Sequence, residues 1–301
     1  MIESRLKRSD KRRLKYSSKI RNRKVVPDKR TILIPCSNTE SIDLILYYAL
    51  PIAKNFNSSL SFLFMGEKTV FESFKTEIEK RFSGTANNDK YRLEHYSSKI
   101  VKVPKVEENS IGEEAVMMIF PQLPSGSFSF FKQLIFMMKA KSLHLPYLIL
   151  QQTDIKEHKW TPDNVIMPIS YRRTDKESAA PASYFARYGN SKITILFSKE
   201  TLASAEKDIN NNLKFIRTMF TRLNVGASVL PAKSNSAKLH EEAVNMAHES
   251  GNSLVVVTST RYYGIEHFFT GPMELHTIKN RHKIPVLCIN TRNDLLVVND
   301  F

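Results

Sequence analysis

Residues 258–272 read TSTRYYGIEHFFTGP and lie between the apolar run LVVV and a segment ending KIPVLCIN. A strand, a loop with two glycines and then a helix is the order an anion-binding turn requires. Glycine admits positive φ and lets backbone N–H groups close on phosphate, while residues opening a helix offer donors with no intrahelical partner. Two residues argue the other way. Pro272 has neither an N–H nor a hydroxyl to give an anion. Arg261 has two readings: a guanidinium gripping phosphate at the mouth of a crevice, or an internal partner for Glu266.

The other chemically able side chains do not converge. His240 and His248 are eight apart on an expected helix, twice the four-residue spacing of a helical metal pair. His276 and His282 have no CxxC or paired carboxylates beside them. The pairs Glu107-Glu108, Glu113-Glu114 and Glu241-Glu242 are sequence neighbours, which point apart on a helix or strand and make no ready acid–base couple. No G-x-S-x-G elbow occurs, and Glu266 with His267 reads as turn surface rather than a hydrolytic pair. Cys36 and Cys288 each sit inside an expected strand without a CxxC partner, which reads as reduced, buried thiols.

The elements that must position these groups are written twice. ILIPCS (32–37) and VIMPIS (165–170) are apolar strands ending in Pro-x-Ser, 133 positions apart. At that same offset AKNFNSSLSFLF (53–64) matches ARYGNSKITILF (186–197), each a helix end, an Asn-Ser turn and a strand. HLPYLIL (144–150) pairs with KIPVLCI (283–289) at a slightly longer offset. The chain therefore reads as an internal duplication.

In the second copy, short apolar strands alternate with helices near 174–188, over a long segment carrying Ile209, Leu213, Ile216, Phe220 and Leu223 at helical spacing, and over 236–250. Such strands fit a parallel sheet covered on both faces, wound by right-handed crossovers. The first copy is less regular. A helix is expected over 71–82, a mobile loop over 85–99, a strand near 100–103, the strand AVMMIF (115–120) and a helix over 128–138. The boundaries are a basic tail (1–30), a first domain (31–151), a linker (152–163) whose Trp160 packs between domains, a second domain (164–292) and a C-terminal tail (293–301).

Each half resembles a universal stress protein domain. The likeness rests on the opening strand with its proline, the A-[KR]-x-x-N-S junction and the glycine loop leading to KIPVLCI. It implies an α/β fold of two Rossmann-like, doubly wound domains, each a five-stranded parallel sheet of order 3-2-1-4-5 flanked by helices. It also implies an intrachain pseudo-dimer through the last strands, and adenine nucleotide bound where strands 1 and 4 diverge. The family's loop has the form G-x2-G-x9-G-[ST]; counting back from Gly271 puts its first two glycines on Thr258 and Arg261 and its hydroxyl on Pro272. Gly264 is a glycine the pattern leaves free, and the acidic residue after strand 1 falls on Ser170, with Ser37 as its first-half counterpart. The resemblance thus points to Ser170, Thr258, Arg261, Gly264 and Gly271 as the crevice of a degenerate nucleotide site. Losing an amide and a hydroxyl together forfeits about 2–4 kcal/mol of anion binding. In the first half, Lys132 and Gln133 stand where Gly-[ST] belongs, so no phosphate loop is expected there.

Charge adds a partner class. Residues 1–30 hold thirteen Lys/Arg against three acids, a net +10 of the chain's +15. The basicity belongs to a tail rather than to a binding face, and reads as a solvated leader or as a site for an acidic partner, phosphate backbone or anionic lipid. No run of about 18 apolar residues is present and no apolar h-region follows the basic start, so no membrane span or secretory signal is expected. The resulting expectation is a cytoplasmic, non-enzymatic stress-response scaffold with no cofactor, with association into a homodimer left open. The alternatives are an ATP- or AMP-binding switch or slow ATPase in the second half, and an adaptor working through the tail.

Overall fold

The computed structural model describes residues 30–83, 91–96, 114–121, 123, 129–141, 145–151, 160–260 and 272–291. In chain order these form β1 (Arg30–Cys36), α1 (Ile42–Asn55), β2 (Ser58–Met65), α2 (Lys68–Ser83), β3 (Tyr91–Tyr96), β4 (Glu114–Phe120), α3 (Ser129–Lys141) and β5 (Tyr147–Ile149). The second half continues with β6 (Asn164–Ile169), a 3-10 turn (Asp175–Ser178), α4 (Ala179–Gly189), β7 (Lys192–Phe197), α5 (Ala203–Arg222) and β8 (Ala227–Pro231). It closes with α6 (Leu239–Glu249), β9 (Ser253–Thr258), α7 (Met273–Ile278) and β10 (Val286–Ile289).

All ten strands join one sheet of order β3-β2-β1-β4-β5-β10-β9-β6-β7-β8. Each half is parallel with order 3-2-1-4-5, and the halves meet where β5 and β10 pair antiparallel, Tyr147 opposite Cys288 and Ile149 opposite Val286. The duplication is kept in the register: Ile32 faces Leu60 in the first half and Val165 faces Ile193 in the second, both members shifted by 133. The Asn-Ser junctions have a common cause. Asn57 and Asn190 both hold positive φ, 47° and 58°, ending one helix and turning the chain into the next strand. Asparagine visits that left-handed region at less cost than most residues because its short amide can bond locally.

Strand side chains alternate between two cores. Ile32, Ile34, Val165, Met167, Leu254 and Val256 pack under α1, α2, α4 and α5, while Leu33, Ile166, Val255 and Val257 pack under α3, α6 and α7. Trp160 crosses between halves, its ring 4.6 Å from Tyr48 and its backbone N–H donating to the Tyr47 carbonyl.

Three expectations change. The third strand of the first half is Tyr91–Tyr96, inside the stretch read as a loop; residues 100–103 lie outside the described residues. Its polar Arg92 and Glu94 hide a period-two pattern in which Tyr91 stacks on Phe82 at 4.3 Å and His95 on Phe71 at 4.9 Å, as suits an edge strand. The helix near 174–188 begins as a 3-10 turn and becomes α-helical only at Ala179, which lets Asp175 turn inward. The helix over 236–250 starts at Leu239, because residues 233–236 are held in a loop by side-chain caps described below.

Candidate functional site

β6 and β9 pair over Asn164–Ile166 and Ser253–Val255 and then separate, opening a crevice at their C-terminal ends. This is the switch point where ligands enter doubly wound sheets. Here it is filled by the chain itself. Asp175, 1 % exposed, sends its carboxylate into the gap. Oδ2 accepts the Ser170 N–H at 2.8 Å and the Ser170 hydroxyl at 2.6 Å; Oδ1 accepts the Thr258 hydroxyl at 2.7 Å and Arg172 Nη2 at 2.9 Å. Four donors on two oxygens leave the anion fully satisfied, three of them neutral and one a counter-charge. Asn212 of α5 fixes the loop above it, donating to the carbonyls of Ser170 and Arg172 at 3.0 and 2.8 Å.

The neighbouring strand ends repeat this device. After β9, Glu274 in the first turn of α7 is wholly buried and accepts both the Thr260 N–H (2.8 Å) and the Thr260 hydroxyl (2.6 Å). After β8, Glu242 of α6 accepts the N–H groups of Lys233 and Ser234 and the Ser234 hydroxyl at 2.6 Å. Partial burial raises the Glu242 pKa, but the Ser234 hydroxyl and the two amides outweigh it and hold the carboxyl below its usual range. After β7, Glu200 takes the Ser236 N–H at 2.8 Å. A backbone N–H is the group such a loop would offer a phosphate. At the ends of β6, β8 and β9, at least one is already given to a carboxylate from the same chain.

His240 lies beneath this cluster on α6, buried, with Nδ1 2.7 Å from the Thr277 hydroxyl. That hydroxyl also reaches the Met273 carbonyl at 3.1 Å, tying the ring to the first turn of α7. Burial lowers the imidazole pKa to about 3, with the Arg172 charge lowering it further against the opposing pull of Asp175. The ring is neutral at physiological pH.

Ser170 and Thr258 are therefore brought together at the crevice, both donating to Asp175. Arg261, Gly264 and Gly271 lie outside the described residues. In the first half the repeat offset matches Asp175 to Ile42, a wholly buried core residue, while Ser37 is exposed. Sequence reasoning missed Arg172, Asp175, Asn212 and Glu274, and weighed His240 only as a metal ligand. A signal for Asp175 existed: it is an acid at a position whose repeat counterpart is isoleucine. Cys36 and Cys288 are free, buried thiols whose pKa burial pushes up, Cys288 further so by Glu274.

No protein-family model matches the chain, and no curated protein does. Solved structures do. A universal stress protein from Archaeoglobus fulgidus DSM 4304 superposes with a TM-score of 0.60 at 13% identity, over 86% of this chain and 98% of that one. A putative universal stress protein from Pseudomonas aeruginosa UCBPP-PA14 gives 0.56 at 12% identity, over 90% and 95%. The cytoplasmic domain of a prokaryotic cation chloride cotransporter gives 0.56 at 11% identity, over 90% and 100%. At these identities the likeness establishes the fold: a doubly wound α/β architecture shared with universal stress proteins.

Proposed function

We propose that the chain is a non-enzymatic tandem protein of universal stress protein type, acting in the cytoplasm as a binding or signalling scaffold whose nucleotide crevice is closed by its own carboxylates. The observation that carries this reading is Asp175, seated at the strand switch point with every oxygen occupied. Asp175 and Glu274 also oppose a phosphate electrostatically. A phosphate charge brought within about 5 Å of one carboxylate costs roughly 3 kcal/mol at an effective dielectric of about 20. Arg172 offsets one of the two charges and is itself tied to Asp175. Isothermal titration with ATP, ADP and AMP should give no saturable heat up to millimolar nucleotide. Micromolar binding of any of them would overturn the reading and favour an ATP- or AMP-dependent switch built on Ser170, Thr258, Arg261, Gly264 and Gly271.

A second reading is supported by the net +10 of residues 1–30, and by the likeness to a transporter's cytoplasmic domain: an adaptor that meets an anionic surface through the tail. It predicts sedimentation with vesicles containing phosphatidylserine that falls steeply between about 50 and 200 mM salt. Salt-independent sedimentation would reject it.

A further inference from the structure

We propose that residues 258–260 couple the state of the second-half crevice to the fit between the two halves. The inference goes beyond the scaffold reading and needs only the hydrogen bonds that close the crevice, whatever the protein binds. Three successive hydroxyls leave the end of β9 toward three different bodies. Thr258, on the same side as Leu254 and Val256, donates to Asp175 in the crevice. Ser259 turns to the seam, where it lies 3.3 Å from the Tyr147 hydroxyl of β5 and donates to Asn290 Oδ1 at 3.2 Å. Thr260 returns to Glu274 on α7.

The Ser259 contact joins the two halves. Its single proton goes to Asn290 Oδ1, which can only accept, while the Tyr147 hydroxyl beside it also reaches Met137 Sδ at 3.9 Å. Asn290 in turn donates its amide to the Ala140 and Leu145 carbonyls of the first half, at 2.8 and 2.9 Å. Tyr147 is fully buried and stands opposite Cys288 in the β5–β10 pair, whose described register spans three residue pairs. The Ser259 backbone N–H is itself fixed to the Ile289 carbonyl at 2.9 Å, next to the last strand.

Consecutive Cα atoms sit about 3.8 Å apart across a rigid peptide plane, and a hydrogen bond is lost when its heavy atoms separate beyond about 3.5 Å. The Ser259 contacts, at 3.3 Å to Tyr147 and 3.2 Å to Asn290, are already close to that limit, so a pull on Thr258 that follows a displaced Asp175 strains them first. A change of charge or partner at Asp175 reaches the seam in two residues, and a strained seam reaches the crevice by the same path.

The test uses the full chain and residue-resolved amide hydrogen exchange. Asp175→Asn removes the charge, and Thr258→Val removes the hydroxyl while keeping the shape. Each should speed exchange at the seam amides (147–149 and 286–289) at least tenfold, relative to the buried β2 amides (60–64). With Ser259→Ala also present, the same substitutions should leave seam exchange at the level of Ser259→Ala alone. The proposal is overturned if neither substitution moves the seam, if both move β2 equally, or if the effect persists unchanged in the Ser259→Ala background.

Discussion

His240 shows how burial chooses a protonation state at the residue scale. The His240 folded-state pKa of about 3 lies below the ordinary value of 6.5, so the unfolded chain binds this proton more readily. Its contribution to stability is complete above about pH 6.5 and is lost as pH falls toward 3, at about 1.4 kcal/mol per pH unit. His282 is also held down, by desolvation and then by His248 and Arg281, and adds the same sign. Comparison with His240→Gln isolates the buried ring: between pH 6.5 and 5, above the carboxylate range, the variant should lose stability more slowly in urea unfolding. Equal slopes would mean that the folded and unfolded chains bind the His240 proton alike. These residues were hard to read from the chain because their meaning lies in distant partners. Ser170 and Thr258 were found from the family pattern, whereas Asp175 bonds residues 5 and 83 positions away and looks like any acid opening a helix.

At the scale of elements the sequence was far more legible, because the determining signals are local. Apolar runs and helical spacing placed most strands and helices, and the constant offset of 133 that marks the duplication reappears in the strand register of both halves. The Asn-Ser junctions carried a backbone instruction in two letters. Asn190→Val should cost about 1–2 kcal/mol, because a β-branched side chain resists left-handed backbone, while Asn190→Gly should be close to neutral. Thermal unfolding checks this, and equal losses in both variants would show that the amide side chain rather than the backbone angle matters. The repeat breaks where the halves touch. Phe56 packs against Tyr184, Phe185 and Tyr188 of α4, while its counterpart is Gly189, where an added Cβ would lie 3.4 Å from the Asn55 amide. Edge strand β3 was missed because half of its residues are polar, the weakest form of a strand signal.

On the scale of the whole molecule, the halves are joined by a short strand pair, a hydrogen-bonded cluster and an aromatic contact. Tyr48→Ala should empty the space against Trp160, cost about 3–5 kcal/mol and shift the emission of the chain's single tryptophan to the red. An unchanged spectrum would mean that the ring is held without Tyr48. The antiparallel pairing of β5 with β10 has a further consequence. Because the two sets of strands run in opposite senses, the first set starts at the pole where the second set stops. Arg30, where the chain enters β1, and Ser170 with Thr258, where β6 and β9 finish, are on the same pole of the sheet. The entrance to β1 and the Asp175 crevice therefore share one end of the sheet, so a body that meets the chain at Arg30 meets it on the crevice's side.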